Sequence, residues 1–182
     1  MLWLGAVGGL RWGEAAGLTV SSLDLLRGTV TVRAQLNRDG SLAPPKTDAG
    51  RRTVSLPAWL IEDLAALCGR RGLTVNTPEA LLFVNRAGKP LDYTDWRRRT
   101  WLPACERAGV VLRFHDLRSW AASALVLSGV DVKTAQARLG HSSPTVTLGI
   151  YARAQADADR RAADAVGAVL RTVDPCLTPA KR

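Results

Sequence analysis

Two histidines and two tyrosines are all that the chain holds, and one of each falls within the stretch LGHSSPTVTLGIYAR: His141 and, ten residues on, Tyr151. A phenol attacks at neutral pH only if something takes its proton, because its unperturbed pKa is about 10. An imidazole can accept or donate a proton in that range. The other histidine, His115, stands in RFHDLRSW with Arg118 three residues later. On a helix that spacing brings both side chains to one side, where they can reach a single ligand. Arg11 follows an apolar run and two glycines in GGLRWGE, and its planar fork can either pair with Glu14 or point at a phosphate. Each residue also has an ordinary structural use: a solvated polar face for His115 and Arg118, a locally satisfied hydroxyl for Tyr151, and a helix-terminal ring bonded to free carbonyls for His141.

Charge narrows the partner. Lys and Arg number 25 against 16 Asp and Glu, giving a net charge of +9 and a sequence pI near 10.5 over 182 residues. That field favours a polyanion, and nucleic acid comes ahead of an anionic membrane because no segment reads as a basic amphipathic membrane helix. A merely soluble basic surface is the alternative. No run reaches the roughly 18 to 20 apolar residues that span a bilayer, and the opening MLWLGAVGGL lacks the basic start of a signal peptide. Cys68, Cys105 and Cys176 are odd in number, far apart and outside any metal-ligand spacing, so neither a disulfide framework nor a zinc site is expected and a reducing cytoplasm fits.

The elements that would position these residues can be read from periodicity. At 47% hydrophobic residues the chain can bury a core, and its length suits one domain. Two short helices broken at Gly8-Gly9 are expected first, the second carrying RWGEAAGL. Val30, Val32, Ala34 and Leu36 alternate with Thr31, Arg33 and Gln35, the two-residue repeat of a half-buried strand. NRDG turns the chain, DAG at Asp48 to Gly50 turns it again before RRTVSLP, and the three runs predict a three-stranded antiparallel sheet with Lys46 beside the second turn. PAWLIEDLAALCGRRG opens with proline and closes at glycine, as a helix does. Helical pattern returns from Asp92 to Ala108, with a break expected at Pro103, and again over Phe114, Leu117, Ala121, Ala124 and Leu125. DVKTAQARLGH is a further helix stopped by Gly140. Ser143-Pro144 caps the helix that carries Tyr151, and ADADRRAADAVGAVLRTV is a final amphipathic candidate.

Taken together and in this order, Arg11 in GGLRWGEAAGL, Lys46 in PPKTDAGRRTVSLP, His115 and Arg118 in HDLRSWAASALV, His141 in LGHSS and Tyr151 in GIYAR resemble the tyrosine recombinases, or phage-type integrases. The resemblance covers about Leu4 to Ala154. It implies an α+β, mainly helical catalytic domain over residues 1–172, with 173–182 an unstructured tail. It also implies strand breakage and rejoining on double-stranded DNA through a 3'-phosphotyrosine, without metal or nucleotide cofactor. Tyr151 would then be the nucleophile. Arg11 and Arg118 would hold the nonbridging oxygens, and His141 would donate to the same phosphate. His115 would assist proton transfer at the tyrosine, and Lys46 would protonate the leaving 5'-oxygen. Glu14 would orient Arg11.

Two other classes share these features: a DNA-binding remnant that performs no chemistry, and a DNA relaxer resembling type IB topoisomerases. Arg51 and Arg52 in RRT and Arg97, Arg98 and Arg99 in WRRRTW are candidate phosphate-backbone contacts. The six tryptophans fall on helical stripes that suit core packing better than base stacking. Relatives of this kind usually carry a core-binding domain ahead of the catalytic one, and only ten residues precede Arg11, so a shortened catalytic domain is expected. The stretch Asp157 to Val169 resembles a C-terminal helix inserted into a neighbouring subunit, which implies a homotetramer on DNA and allows a monomer in free solution; packing within the same chain is the alternative.

Overall fold

A computed structural model describes residues 1–173. Of the expected tail only Val173 is described, as the last residue of a helix; residues 174–182, Cys176 among them, lie outside the described residues. Helices α1 (Leu2–Ala6) and α2 (Trp12–Ala16) open the chain. They are separated where Gly9 takes a φ of +67°, a left-handed conformation open to glycine at no steric cost. Gly5 lets α1 lie close on a later helix, since a Cβ there would meet the Phe114 ring at 3.0 Å and Leu117 at 3.2 Å.

Strands β1 (Leu23–Asp24), β2 (Thr29–Val32), β3 (Gln35–Leu36), β4 (Leu42–Ala43) and β5 (Arg52–Ser55) form two antiparallel ladders, β1-β2-β5 and β3-β4. The sequence pattern predicted a three-stranded sheet, and one forms, but with different members. The chain leaves the ladder after Val32, so the expected single strand of residues 29–36 becomes β2 and β3, and β1 takes the outer place. Gly13 and Gly17 explain the departure: Cβ atoms there would lie 2.8 Å from the Leu36 carbonyl oxygen and 2.8 Å from the Leu36 nitrogen. Only a glycine face lets β3 rest its backbone directly on α2.

Register fixes which side chains face inward. Val30 pairs with Val54 and Val32 with Arg52; these positions are buried while Thr53 and Ser55 are exposed. The core collects Leu4, Leu10 and Leu18 with these valines and with Leu60 and Leu64 of α3 (Ala58–Arg70). Burying a side chain of this size contributes about 1.5 to 3 kcal/mol.

The expected break at Pro103 does not occur. Asp92 caps α4 (Tyr93–Trp96), a π-helical turn follows over Arg97–Trp101, and α5 (Leu102–Arg107) continues. Proline clashes with the carbonyl four residues back in a regular helix, and the wider π turn accommodates it. This segment presents Tyr93, Trp96 and Trp101 to Trp12 and Phe114, with ring centroids 5.0 to 6.5 Å apart. Three tryptophans thus pack as expected, whereas Trp3, Trp59 and Trp120 are largely exposed.

Helices α6 (Phe114–Leu127), α7 (Val132–Leu139) and α8 (Pro144–Val173) complete the fold. Asp131 caps α7 through the Thr134 amide at 2.9 Å, and Ser143 Oγ accepts the Thr145 amide at 3.3 Å ahead of α8. The two helical stretches read from the C-terminal sequence are one 30-residue helix, which packs mainly on α6 and α7 among the described residues. Val166 and Leu170 on it are exposed.

Candidate active site

Arg11 is the N-cap of α2, and Glu14 closes that end: the Arg11 amide donates to Oε2 at 2.9 Å and its Nη1 to Oε1 at 2.7 Å. The same carboxylate accepts Nη2 of Arg52 at 2.8 Å and Nη1 at 3.2 Å. Arg52 is further fixed by the Arg138 carbonyl, 2.8 Å from Nε, and the Gly50 carbonyl, 3.2 Å from Nη1. The side chains of Glu14 and Arg52 are 3% and 5% exposed, while that of Arg11 remains 43% exposed. Burial pushes the Glu14 carboxyl upward, but the hydrogen bonds and charge of Arg52, then the bonds from Arg11, outweigh it and hold the pKa at about 2. Glu14 therefore orients Arg11, as expected, and holds a second arginine as well. Arg52 is not a surface contact for phosphate: the inward phase of β5 takes it into the core, which corrects the reading of RRT.

Arg118 projects from α6 and is 3% exposed. Its Nη1 donates to the Gly9 carbonyl at 2.6 Å, and Nη2 is buried without a partner. Burial, followed by the charge of Arg11, lowers its pKa to about 9, with Glu14 opposing. The group remains a cation at neutral pH with an orphaned donor. Leaving such a donor unsatisfied costs about 1 to 3 kcal/mol, and an oxyanion would remove that cost.

His141 follows Gly140, which ends α7 at a φ of +66°. Its Nδ1 lies 2.9 Å from Oγ1 of Thr147. Burial, then the charges of Arg118, Arg11, Arg52 and His115, lowers its pKa to about 4. His115 is lowered too, by burial and then by Arg118, Arg11 and Arg113. These mutual effects gather Arg11, His115, Arg118 and His141 into one electropositive cluster in which both rings are neutral at pH 7. Fixed guanidinium forks beside neutral imidazoles can bind a tetrahedral oxyanion and donate to it or exchange a proton with it.

Two expected members make no hydrogen bond or ion pair with the cluster among the described residues. The Tyr151 hydroxyl donates to the Val130 carbonyl in the link between α6 and α7. Burial, then the charge of Asp131, raises its pKa above the ordinary tyrosine value. Lys46 is exposed on the loop after β4, without a hydrogen bond or ion pair among the described residues. Of the other arginines, Arg51 and Arg97 are exposed, and Arg98 and Arg99 lie 2.9 and 3.5 Å from Asp95. No group of three or more His, Cys, Asp or Glu among the described residues could hold a metal ion. No described helix is long and apolar enough to cross a membrane.

The geometry can be set against known proteins. The sequence model of the phage integrase family matches residues 1–158. The chain belongs to the phage integrase family. Among curated integrase-family relatives, the prophage integrase IntR of Escherichia coli K12 is 30% identical over 82% of this chain and 42% of that protein. A XerC-like tyrosine recombinase of Caldanaerobacter subterraneus is 31% identical over 79% of this chain and 42% of that protein. The chain thus spans less than half the length of these relatives. The XerA recombinase structure aligns with a TM-score of 0.65 at 27% identity, covering 81% of this chain and 49% of that one. The Tn1549 transposon integrase, solved with circular intermediate DNA, aligns with a TM-score of 0.70 at 22% identity over 87% of this chain and 58% of that one, and so shows the shared fold.

Sequence reasoning missed Thr147 and the inward role of Arg52. A signal existed for both: Arg52 shares the phase of Val54, and Thr147 lies one helical turn before Tyr151.

Proposed function

We propose that the chain is the catalytic part of a site-specific DNA recombinase, breaking and rejoining double-stranded DNA through Tyr151. The observation that carries this reading is the orphaned Nη2 of Arg118 in a cluster with Arg11, His115 and His141. A phosphodiester gains negative charge on its nonbridging oxygens as it is attacked, and fixed cationic donors stabilise that charge. Arg11 and Arg118 hold those oxygens and His141 donates to one of them. The Tyr151 oxygen bonds to phosphorus, the 5'-oxygen leaves and takes a proton from Lys46, and His115 accepts the phenolic proton. The product is a 3'-phosphotyrosine and a free 5'-hydroxyl, and attack by a 5'-hydroxyl from another strand reverses the step. XerH, a relative 26% identical with a TM-score of 0.62, was solved bound to its difH substrate, which supports DNA as the partner. The exposed distal apolar positions of α8 fit docking against a neighbouring copy within a tetramer on DNA, and the protein acts in the cytoplasm.

A nicked suicide DNA duplex tests the chemistry. Wild-type protein should give a covalent band-shifted adduct and Tyr151→Phe none. DNA binding without any adduct would instead establish the non-catalytic reading, which the engagement of the Tyr151 hydroxyl with Val130 favours. Relaxation of supercoiled DNA without sequence preference would mark a topoisomerase-like activity.

A further inference from the structure

Thr147 is the most deeply buried polar side chain among the described residues of α8, 1% exposed. Its hydroxyl makes one hydrogen bond among the described residues, the 2.9 Å contact with Nδ1 of His141. A helical threonine commonly returns its hydroxyl to the carbonyl one turn back, and this one does not. Thr147 also lies four residues before Tyr151, on the same face of α8. A single bond therefore joins the histidine of the arginine cluster to the helix that bears the tyrosine.

A neutral imidazole carries one proton on two nitrogens, so the bond made at Nδ1 decides what Nε2 can do. The burial and surrounding charges that keep His141 neutral at pH 7 make this choice matter. If Nδ1 held the proton, Nε2 would turn a lone pair toward any bound oxyanion and repel it. If the threonine hydroxyl donates to Nδ1, Nε2 carries the proton and points a donor outward.

We infer that Thr147 is a positioning residue that donates to Nδ1 of His141, fixing the Nε2–H tautomer for phosphate binding and tying the first turn of α8 to the phosphate site. This rests on the reading of His141 as a phosphate donor and Tyr151 as the nucleophile. Only one class of variant separates the hydroxyl from its shape: Thr147→Val keeps the branched side chain and removes the donor, while Thr147→Ser keeps the donor.

The direct test is the ring itself. With only two histidines in the chain, long-range proton–nitrogen spectra of histidine-labelled protein resolve both, and His115→Gln assigns them. Wild type and Thr147→Ser should show His141 as the Nε2–H tautomer, and Thr147→Val a mixture. An Nδ1–H ring in the wild type, or an unchanged spectrum in Thr147→Val, overturns the inference. Should Thr147→Val fail to fold, the wild-type spectrum still decides the tautomer and Thr147→Ala replaces it. Adduct formation on the nicked duplex is the second arm. Outer-shell partners of this kind typically matter by about 10- to 100-fold, so Thr147→Val should slow the adduct by roughly that factor at unchanged DNA affinity, and Thr147→Ser should restore it. A folded Thr147→Val at the wild-type rate overturns the positioning role while leaving Tyr151 as nucleophile. Failure of the wild type itself to form an adduct counts against the Tyr151 reading, and the spectra still judge Thr147.

Discussion

Arg52 and Glu14 meet through two hydrogen bonds of 2.8 and 3.2 Å in the interior, and the same carboxylate holds Arg11 at the surface. Removing one partner of a buried pair leaves the other charge uncompensated, at a cost of about 3 to 5 kcal/mol. Glu14→Gln and Arg52→Gln should each lower unfolding free energy in urea by roughly that amount and should also suppress adduct formation, because Arg11 loses its anchor. A variant as stable as the wild type would show that the pair does not organise the site.

Acid should weaken the fold in two stages. The folded-state pKa of His141 is about 4 against an ordinary 6.5, so the unfolded chain binds more protons between those values and stability falls as pH drops from 6.5 to 4. Glu14 is depressed from 4.5 to about 2, so its contribution is complete above 4.5 and is lost as pH falls toward 2. Urea unfolding at pH 7.5, 5.5 and 4 should show a decline already at 5.5. His141→Gln should shrink that first stage and leave the second unchanged, with His115 and the Met1 amine, whose pKa values are also lowered, supplying the remainder of the first. Equal stability at 7.5 and 5.5 would contradict a neutral, part-buried ring.

The phenol of Tyr151 is a hydrogen-bond donor to a backbone carbonyl, and its pKa is raised by burial and by Asp131. Ultraviolet titration of the free protein, compared with Tyr151→Phe, should therefore place Tyr151 above 10. Asp131→Asn should bring it down, since the second of those causes is removed. A Tyr151 that ionises below 10 without DNA would mean that the free chain already holds an activated nucleophile.

Arg97 is exposed with no ion-pair partner among the described residues, whereas Arg98 and Arg99 share Asp95. Each neutralised phosphate contributes about 0.9 to the slope of log affinity against log salt. Arg97→Ala should weaken DNA binding and reduce that slope by about 1, with stability within about 0.5 kcal/mol of wild type. An unchanged slope in a fluorescence-anisotropy titration would remove Arg97 from the DNA surface.

Gly140 joins two demands, a φ of +66° and close packing, since a Cβ would meet the Ala49 carbonyl oxygen at 2.7 Å and Arg52 Nη1 at 2.8 Å. Left-handed backbone costs an ordinary residue about 1 to 2 kcal/mol before any clash. Gly140→Ala should cost more than that in urea unfolding and should displace both Arg52 and His141. Gly88→Ala is the control: its φ is also positive, at +74°, but nothing lies within 4 Å.

Most of the helices were legible because their ends carry chemistry: proline at the start of α3, Asp131 before α7, Gly140 after it and Ser143 before α8. The sheet was less so. A stretch as regular as residues 29–36 gives no sign that the chain bends after Val32, because the cause lies elsewhere, in Gly13 of α2 and Gly17 at its end, which invite β3 onto them. The cluster of Arg11, His115, Arg118 and His141 was legible as an ordered set of residue types, yet its geometry was not. Arg118 is buried because α6 turns it toward the Gly9 carbonyl, a contact spanning 109 residues. Arg52 shows the opposite failure. Two adjacent arginines look alike in sequence, yet Arg51 is exposed just before β5 while the inward phase of that strand takes Arg52 into the core.

With 30 residues at 1.5 Å each, α8 is a rod of about 45 Å. Tyr151 stands only about 10 Å along it. Pivoting the rod through about 5° at its start would carry the far tip some 4 Å while shifting the phenol by about 1 Å. Misalignment of that size at a reacting atom can change a rate a hundredfold. The rod therefore gears down motion: coarse displacement at its distal end becomes fine adjustment at the phenolic oxygen proposed to meet phosphorus.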